Sequence, residues 1–276
     1  MRNPLLNKRI PTILAIGLVL LGIVLTTIVV RVQTSFKSNA SNSEEPQNVK
    51  ITNLSDDSFR ITYQTDAATT GSINYGNSKQ LGNTRLEDRS QNVHSITVEK
   101  LDPLTKYYLV IVSGQNTFLN NGVPFEISTG PNISSPSAMQ TIIKGKLILP
   151  DGNAPNEVLV YLSSDNSQAL STTIEKNGEF NFSLKELRTN DLSSYFEFNE
   201  DTIFELLAMN NSLKSTVSFS LNETGLLPTI TLSNDYNFTK DYVPNASSSA
   251  QSGFPSTIVK SENLKPQILT LSLIHI

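Results

Sequence analysis

Leu101-Asp-Pro103-Leu-Thr105-Lys-Tyr107-Tyr-Leu-Val-Ile111 reads as a stiff corner that feeds a strand. Pro103 fixes φ and removes a donor, which suits a turn and not a strand interior. After it, Tyr107, Leu109 and Ile111 alternate with Tyr108 and Val110, the period of a strand with one face on a core. The same period recurs outward in both directions. Val49/Ile51, Phe59/Ile61/Tyr63, Ile73/Tyr75, Ile96/Val98 and Phe125/Ile127 are short alternating runs, separated by Asp, Asn, Gly and Pro. Many short strands punctuated by turns predict a β-sandwich.

The L-x-P-x-T-x-Y-x-x-x-(V/I) form of residues 101–111 resembles the approach to the sixth strand of fibronectin type III domains, and the resemblance extends over residues 47–131. It implies a structural Tyr107, with a buried ring and a hydroxyl returned to nearby backbone as in a tyrosine corner. Tyr63 then stands where that family usually carries Trp. Thr62-Tyr63-Gln64-Thr65 and Gly71-Ser-Ile-Asn-Tyr75-Gly76 also resemble the sandwich preceding the catalytic domain of purple acid phosphatases. That resemblance implies a fold without the activity, because the metal ligands of those enzymes lie downstream and this chain has only two histidines, His94 and His275.

A second module is expected over 141–236. Ile143-Lys-Gly145-Lys-Leu147-Ile-Leu149 and Val158-Leu-Val160-Tyr-Leu162 read as strands, and Asn177-Gly178 as a hairpin turn, with Phe180, Phe182 and Leu184 on one face after it. This order resembles carboxypeptidase regulatory-like or transthyretin-like sandwiches. Val217/Phe219/Leu221 and Ile230/Leu232 fit further strands, while Leu184–Asn190 and Asp201–Asn210 suggest helical turns. Residues 132–140 are small and proline-bearing, so they read as a hinge with few contacts, and each module is expected to fold alone.

From Ile10 to Val30 the chain is uncharged and apolar, long enough for a hydrocarbon core that takes ~20 helical residues. A transmembrane helix is therefore expected over 10–31, contacting the lipid bilayer as a signal-anchor. Arg2, Lys8 and Arg9 precede it, which places residues 1–9 in the cytoplasm and the C-terminal region outside. The competing reading, a cleaved signal peptide, would have an apolar region of about 7–15 residues. Residues 32–46 read as a polar linker and 237–276 as a flexible or truncated tail. The fold class expected is mainly β, with one N-terminal transmembrane helix and two β-sandwich domains.

A net charge of −4 disfavours nucleic-acid binding. The absence of cysteine removes disulfides, thiolate metal sites and thiol nucleophiles, and points to a bacterial surface protein over a disulfide-bearing receptor. Zero tryptophans remove the commonest platform for stacking sugars. His94 has no identifiable ligand partner in the sequence and reads as structural or solvated. Asp56-Asp57 and Asp151-Gly152-Asn153 read as turns, since neither supplies the oxygens that Ca²⁺ needs. Ser164-Asp165 and Ser247–Ser249 lack a base. An intramolecular isopeptide bond would draw on Lys144 or Lys146, Asn222 or Asn237, and Glu205. Asn53, Asn132, Asn181, Asn222, Asn237 and Asn245 open Asn-x-Ser/Thr triplets.

No catalytic, cofactor-binding or metal residue is assigned, no cofactor is expected, and the chain is read as not an enzyme. The expected function is that of a noncatalytic, membrane-anchored, extracytoplasmic protein whose sandwiches serve as spacers or as binding units for a protein or glycan partner. The alternative is the accessory N-terminal region of a larger surface hydrolase.

Overall fold

The computed structural model describes residues 42–134, 141–221 and 224–239. The transmembrane helix expected over 10–31 with its flank 1–9, most of the linker and all but the start of the tail lie outside the described residues. Among the described residues no helix is long and apolar enough to cross a membrane. The chain there is mainly β, with short 3₁₀ turns at Asn42–Glu44 and Leu184–Glu186.

The first sandwich is built from β1 (Gln47–Thr52), β2 (Phe59–Thr69), β3 (Gly71–Gly76), β4 (Asn83–Leu86), β5 (Gln91–Val98), β6 (Lys106–Ser113), β7 (Asn116–Phe118) and β8 (Phe125–Ser128). One sheet runs β1-β2-β5 and the other β4-β3-β6-β7, with β8 also on β6. Register follows the alternation in the sequence. Phe59, Ile61 and Tyr63 of β2 stand opposite Val98, Ile96 and His94 of β5, and all of these point into the core. Tyr107, Leu109 and Ile111 of β6 meet them from the facing sheet. The corner before β6 closes as the resemblance implies. The Tyr107 hydroxyl returns to nearby backbone, accepting from the Asp102 amide N–H at 2.9 Å. The second sandwich repeats the device, as the Tyr236 hydroxyl accepts from the Thr231 amide at 3.0 Å.

The second sandwich comprises β9 (Ile142–Ile148), β10 (Leu159–Ser164), β11 (Leu170–Thr173), β12 (Glu179–Ser183), β13 (Ile203–Met209), β14 (Lys214–Ser220), β15 (Ile230–Thr231) and β16 (Tyr236–Phe238). Its sheets run β11-β10-β13-β14-β16 and β12-β9-β15. The helical turn expected over Asp201–Asn210 is instead β13, a central strand. Phe204, Leu206 and Ala208 face the sandwich core while Leu207 is buried on the other face, so both faces are covered and the alternation is masked. A short helical turn does form at Leu184–Glu186.

Asn177-Gly178 makes a tight turn but not a hairpin. β11 joins β10, whereas β12 crosses to the opposite sheet and pairs with β9. Gly178, at φ +84, lies so close to β9 that a Cβ there would stand 2.3 Å from the Leu147 carbonyl oxygen. The hairpin rule reads only the turn; the partner of each flanking strand is set by where its apolar face finds cover. Phe180 and Phe182 do share the buried face. The ring of Phe180 lies over Gly145, filling the space its missing side chain leaves.

Both sandwiches belong to one compact unit. They pack through the outer face of β1-β2-β5 against the outer face of β11-β10-β13. Few contacts are expected between modules joined by a hinge, but these two meet face to face through their outer sheets.

Candidate functional site

The seam between the sandwiches is assembled from residues that alternate away from each core. On β2, Arg60, Thr62 and Gln64 interleave with Phe59, Ile61 and Tyr63; on β10 and β13, Leu159, Tyr161 and Leu207 point the opposite way from Val160, Leu162 and Leu206. A period-two strand with a polar outer row normally faces water, yet here Thr62 is 0% and Gln64 2% exposed. A small apolar cluster, Val93, Leu159, Tyr161 and Leu207 with Met209 at its margin, fills the centre.

Polar contacts surround that cluster. The Thr62 hydroxyl bonds the Tyr161 hydroxyl at 2.9 Å, and Thr52 bonds Ser171 through their hydroxyls at 2.5 Å. The Asn53 amide donates to the Ala169 carbonyl at 3.0 Å, and its side-chain oxygen accepts from the Ser171 amide at 2.7 Å. Arg60 donates to the Ser171 carbonyl and to Thr97, and burial lowers the pKa of its guanidinium. At the far end Arg188, almost fully buried, pairs with Asp56 and donates to the Pro131 carbonyl at 2.8 Å. Lys50 lies 4.3 Å over the Tyr161 ring, and burial first, then the nearby Lys214 charge, pull its pKa down to about 8.

At one edge the seam opens into a polar groove of about 640 Å³. Arg85, Asp88, Arg89 and Gln91 line it from the first sandwich, and Asn156 and Thr172 from the second. Glu87 and Glu157 also reach it, but as caps. Glu157 accepts from the amides of Asn92 and Val93 at 3.1 and 3.2 Å, and Glu87 from the Ser95 amide at 3.1 Å. Both satisfy the free edge of β5, which would otherwise invite another strand.

Behind the groove, Glu87 anchors a buried network that the sequence reading did not assemble. Its carboxylate meets His94 Nδ1 at 2.6 Å, while Nε2 of the same ring lies 3.1 Å from the Thr65 hydroxyl and 3.3 Å from that of Thr69. Thr69 continues to Ser113 at 2.8 Å. Acid, imidazole and hydroxyl stand in the order of a hydrolytic triad. The His94 and Thr65 side chains are 0% exposed, however, and Tyr63 stacks on the imidazole with ring centroids 4.2 Å apart, so no substrate reaches them. The arrangement ties β2, β5 and the β4–β5 turn together. Gly71 is part of it, since a Cβ there would stand 2.2 Å from the Tyr63 hydroxyl. No local spacing marks this set, because its members converge only after the sheets fold.

The remaining candidates separate. Lys144 and Lys146 are exposed on β9, whereas Glu205 and Asn237 lie on β13 and β16 of the facing sheet, so the described residues do not form the isopeptide arrangement. Asn222, Asn245, His275 and Ser247–Ser249 lie outside the described residues. Asp56 belongs to the Arg188 ion pair, and Asp151 caps its own turn by accepting from the Asn153 amide at 3.0 Å. Ser164 donates to the Ile203 carbonyl at 2.7 Å. Among the triplet asparagines, Asn181 and Asn237 are exposed, whereas Asn53 is held in the seam.

No protein-family model and no curated protein matches the chain. Solved structures with some likeness include PhoD, at 13% identity and a TM-score of 0.28, covering 40% of this chain and 23% of that one. The FN1–FN3 domains of chicken CNTN1 align at 13% identity and a TM-score of 0.23, covering 70% and 67%. A two-domain fibronectin type III segment of chicken tenascin aligns at 12% and 0.24, covering 64% and 98%. Likeness at this level assigns the chain to no family.

Proposed function

We propose that this chain is a noncatalytic, membrane-anchored extracytoplasmic protein. Its two sandwiches, the first of fibronectin type III character, act together as one rigid head that spaces or binds a protein or glycan partner. The observation that carries this reading is the seam. Hydroxyl pairs, a buried ion pair and an apolar cluster join two outer sheet faces, which suits a head that holds a fixed shape better than modules that swing on a tether. Two further features support it. His94, the only histidine among the described residues, is committed to a closed structural network. The apolar run from Ile10 to Val30 has the length and flanking charge of an anchor that leaves the head outside.

The test is a distance distribution. The chain has no cysteine, so nitroxides on cysteines introduced at the exposed Val123 and Ile203, one in each sandwich, are the only labels. A single narrow distance supports the rigid head, and a broad distribution overturns it. Protease added to spheroplasts should digest the head; full protection would overturn the extracytoplasmic placement.

A further inference from the structure

The groove at the edge of the seam lies in the size range of small-ligand sites, about 300–1,000 Å³. Its chemistry narrows what could occupy it. β5 is an edge strand, but its outward amides at Val93 and Ser95 are already held by Glu157 and Glu87, so a peptide cannot extend the sheet there. Those carboxylates are also occupied: Glu87 further accepts from the Gly71 amide at 3.1 Å and from Gln91 at 2.9 Å.

The exposed cations are in a different state. Arg85 makes no ion pair or hydrogen bond among the described residues, and Arg89 donates only its Nε, to Gln91 at 2.9 Å. Asp88, between them in sequence, makes no hydrogen bond among the described residues. A guanidinium presents a planar fork that matches a carboxylate, while a free carboxylate, an amide and a hydroxyl on the rim match sugar hydroxyls. No aromatic ring lines the groove, so a neutral sugar has no stacking surface to hold it.

We propose that this groove binds an acidic saccharide of the uronate class. Arg85 and Arg89 take the carboxylate, and Asp88, Asn156 and Thr172 take ring hydroxyls. The assignment rests on the binding role proposed above and names its ligand class. With charge as the main attraction and no stacking, binding is weak and falls as salt rises.

The experiment titrates the solubilised full-length chain with trigalacturonate, with the neutral galactose trisaccharide and with a hexaglutamate peptide, using calorimetry. The expected result is saturable binding of trigalacturonate alone, weakened about tenfold or more in the Arg85→Ala/Arg89→Ala double variant. Both arginines are exposed, so the variant should keep the parent melting temperature and the loss can be read as binding. The proposal is overturned by an absence of saturable trigalacturonate binding, by unchanged affinity in the double variant, or by equal or tighter binding of either the neutral sugar or the peptide. Failure here leaves the label-distance test of the rigid head standing on its own result.

Discussion

Thr62 and Tyr161, 99 positions apart in the chain, share a buried hydroxyl–hydroxyl hydrogen bond of 2.9 Å. Each lies on the outer face of its own sandwich, and each is 0% exposed because the other sandwich covers it. Burial of this kind raises the Tyr161 hydroxyl pKa, keeping it neutral, and its bond to Thr62 removes what would otherwise be an unpaired polar group between two sheets.

Tyr161→Phe keeps the ring and removes the hydroxyl. It should cost about 1–2 kcal/mol, the usual penalty for losing a buried hydrogen bond while its partner stays dry. Tyr161→Ala also empties part of the seam cluster and should cost about 3–5 kcal/mol. Chemical denaturation of residues 42–239 measures both, and equal costs would mean that the ring contributes nothing to the seam.

Residues 42–239 should unfold in one transition, because separating the sandwiches exposes Val93, Leu159, Tyr161 and Leu207 together. The halves 42–134 and 141–239, made separately, should each melt lower than the joined protein. Calorimetry with two independent transitions at the temperatures of the isolated halves would refute the coupling.

Arg188→Met should destabilise by about 3 kcal/mol, since it leaves Asp56 without its cationic partner and the Pro131 carbonyl without its donor. Asp56→Asn retains an acceptor for the guanidinium and should cost less. Denaturant midpoints of the two variants decide the order.

Lys50 supplies a pH dependence of definite sign. Its folded pKa is lowered from 10.5 to about 8, so between those values the unfolded chain holds a proton that the folded chain has released. Stability should therefore rise with pH across that window, and the burial penalty should be fully present below it. Lys50→Met keeps the apolar stem over Tyr161. It should stabilise the protein near neutrality and flatten the slope, as thermal melts across the window would record.

Tyr107→Phe removes the acceptor of the Asp102 amide and should cost about 1–2 kcal/mol. Tyr107→Ala should cost about 3–5 kcal/mol. Tyr108 alternates to the opposite, half-buried face, so Tyr108→Ala should be milder. A costlier Tyr108 truncation in denaturation would displace the β6 register by one.

How far the sequence could be read depends on where each interaction lies along the chain. Pro103 and the alternation through Ile111 encode a corner and a strand within a few residues, so β6 and its inward face were legible without any partner. The same holds for β2, β5 and β9, whose apolar residues recur at period two. β13 was not legible, because Leu206, Leu207 and Ala208 are covered on both faces and a strand buried that way loses its alternation. Nor was the sheet crossing after Gly178, since a turn signal specifies a reversal and not the partner of the strand that follows. β4, with four exposed residues, carries no apolar pattern at all.

The sequence by itself determined that the described chain is built of short strands packed into sandwiches, because alternation and turn chemistry are local properties of the polymer. Only the tertiary structure decided that Thr62, Gln64 and Lys50 are interior and not solvated, and that Glu87, His94, Thr65 and Thr69 form one network. It likewise decided that Arg85 and Arg89 line a groove with Asn156 and Thr172. The network joins residues 7 to 29 positions apart across one sandwich, while the physical reason for the other two is shared. A polar residue on an outer sheet face satisfies water and a complementary polar face equally well, and the choice between them is made by a surface more than sixty positions away along the chain, which no local pattern records.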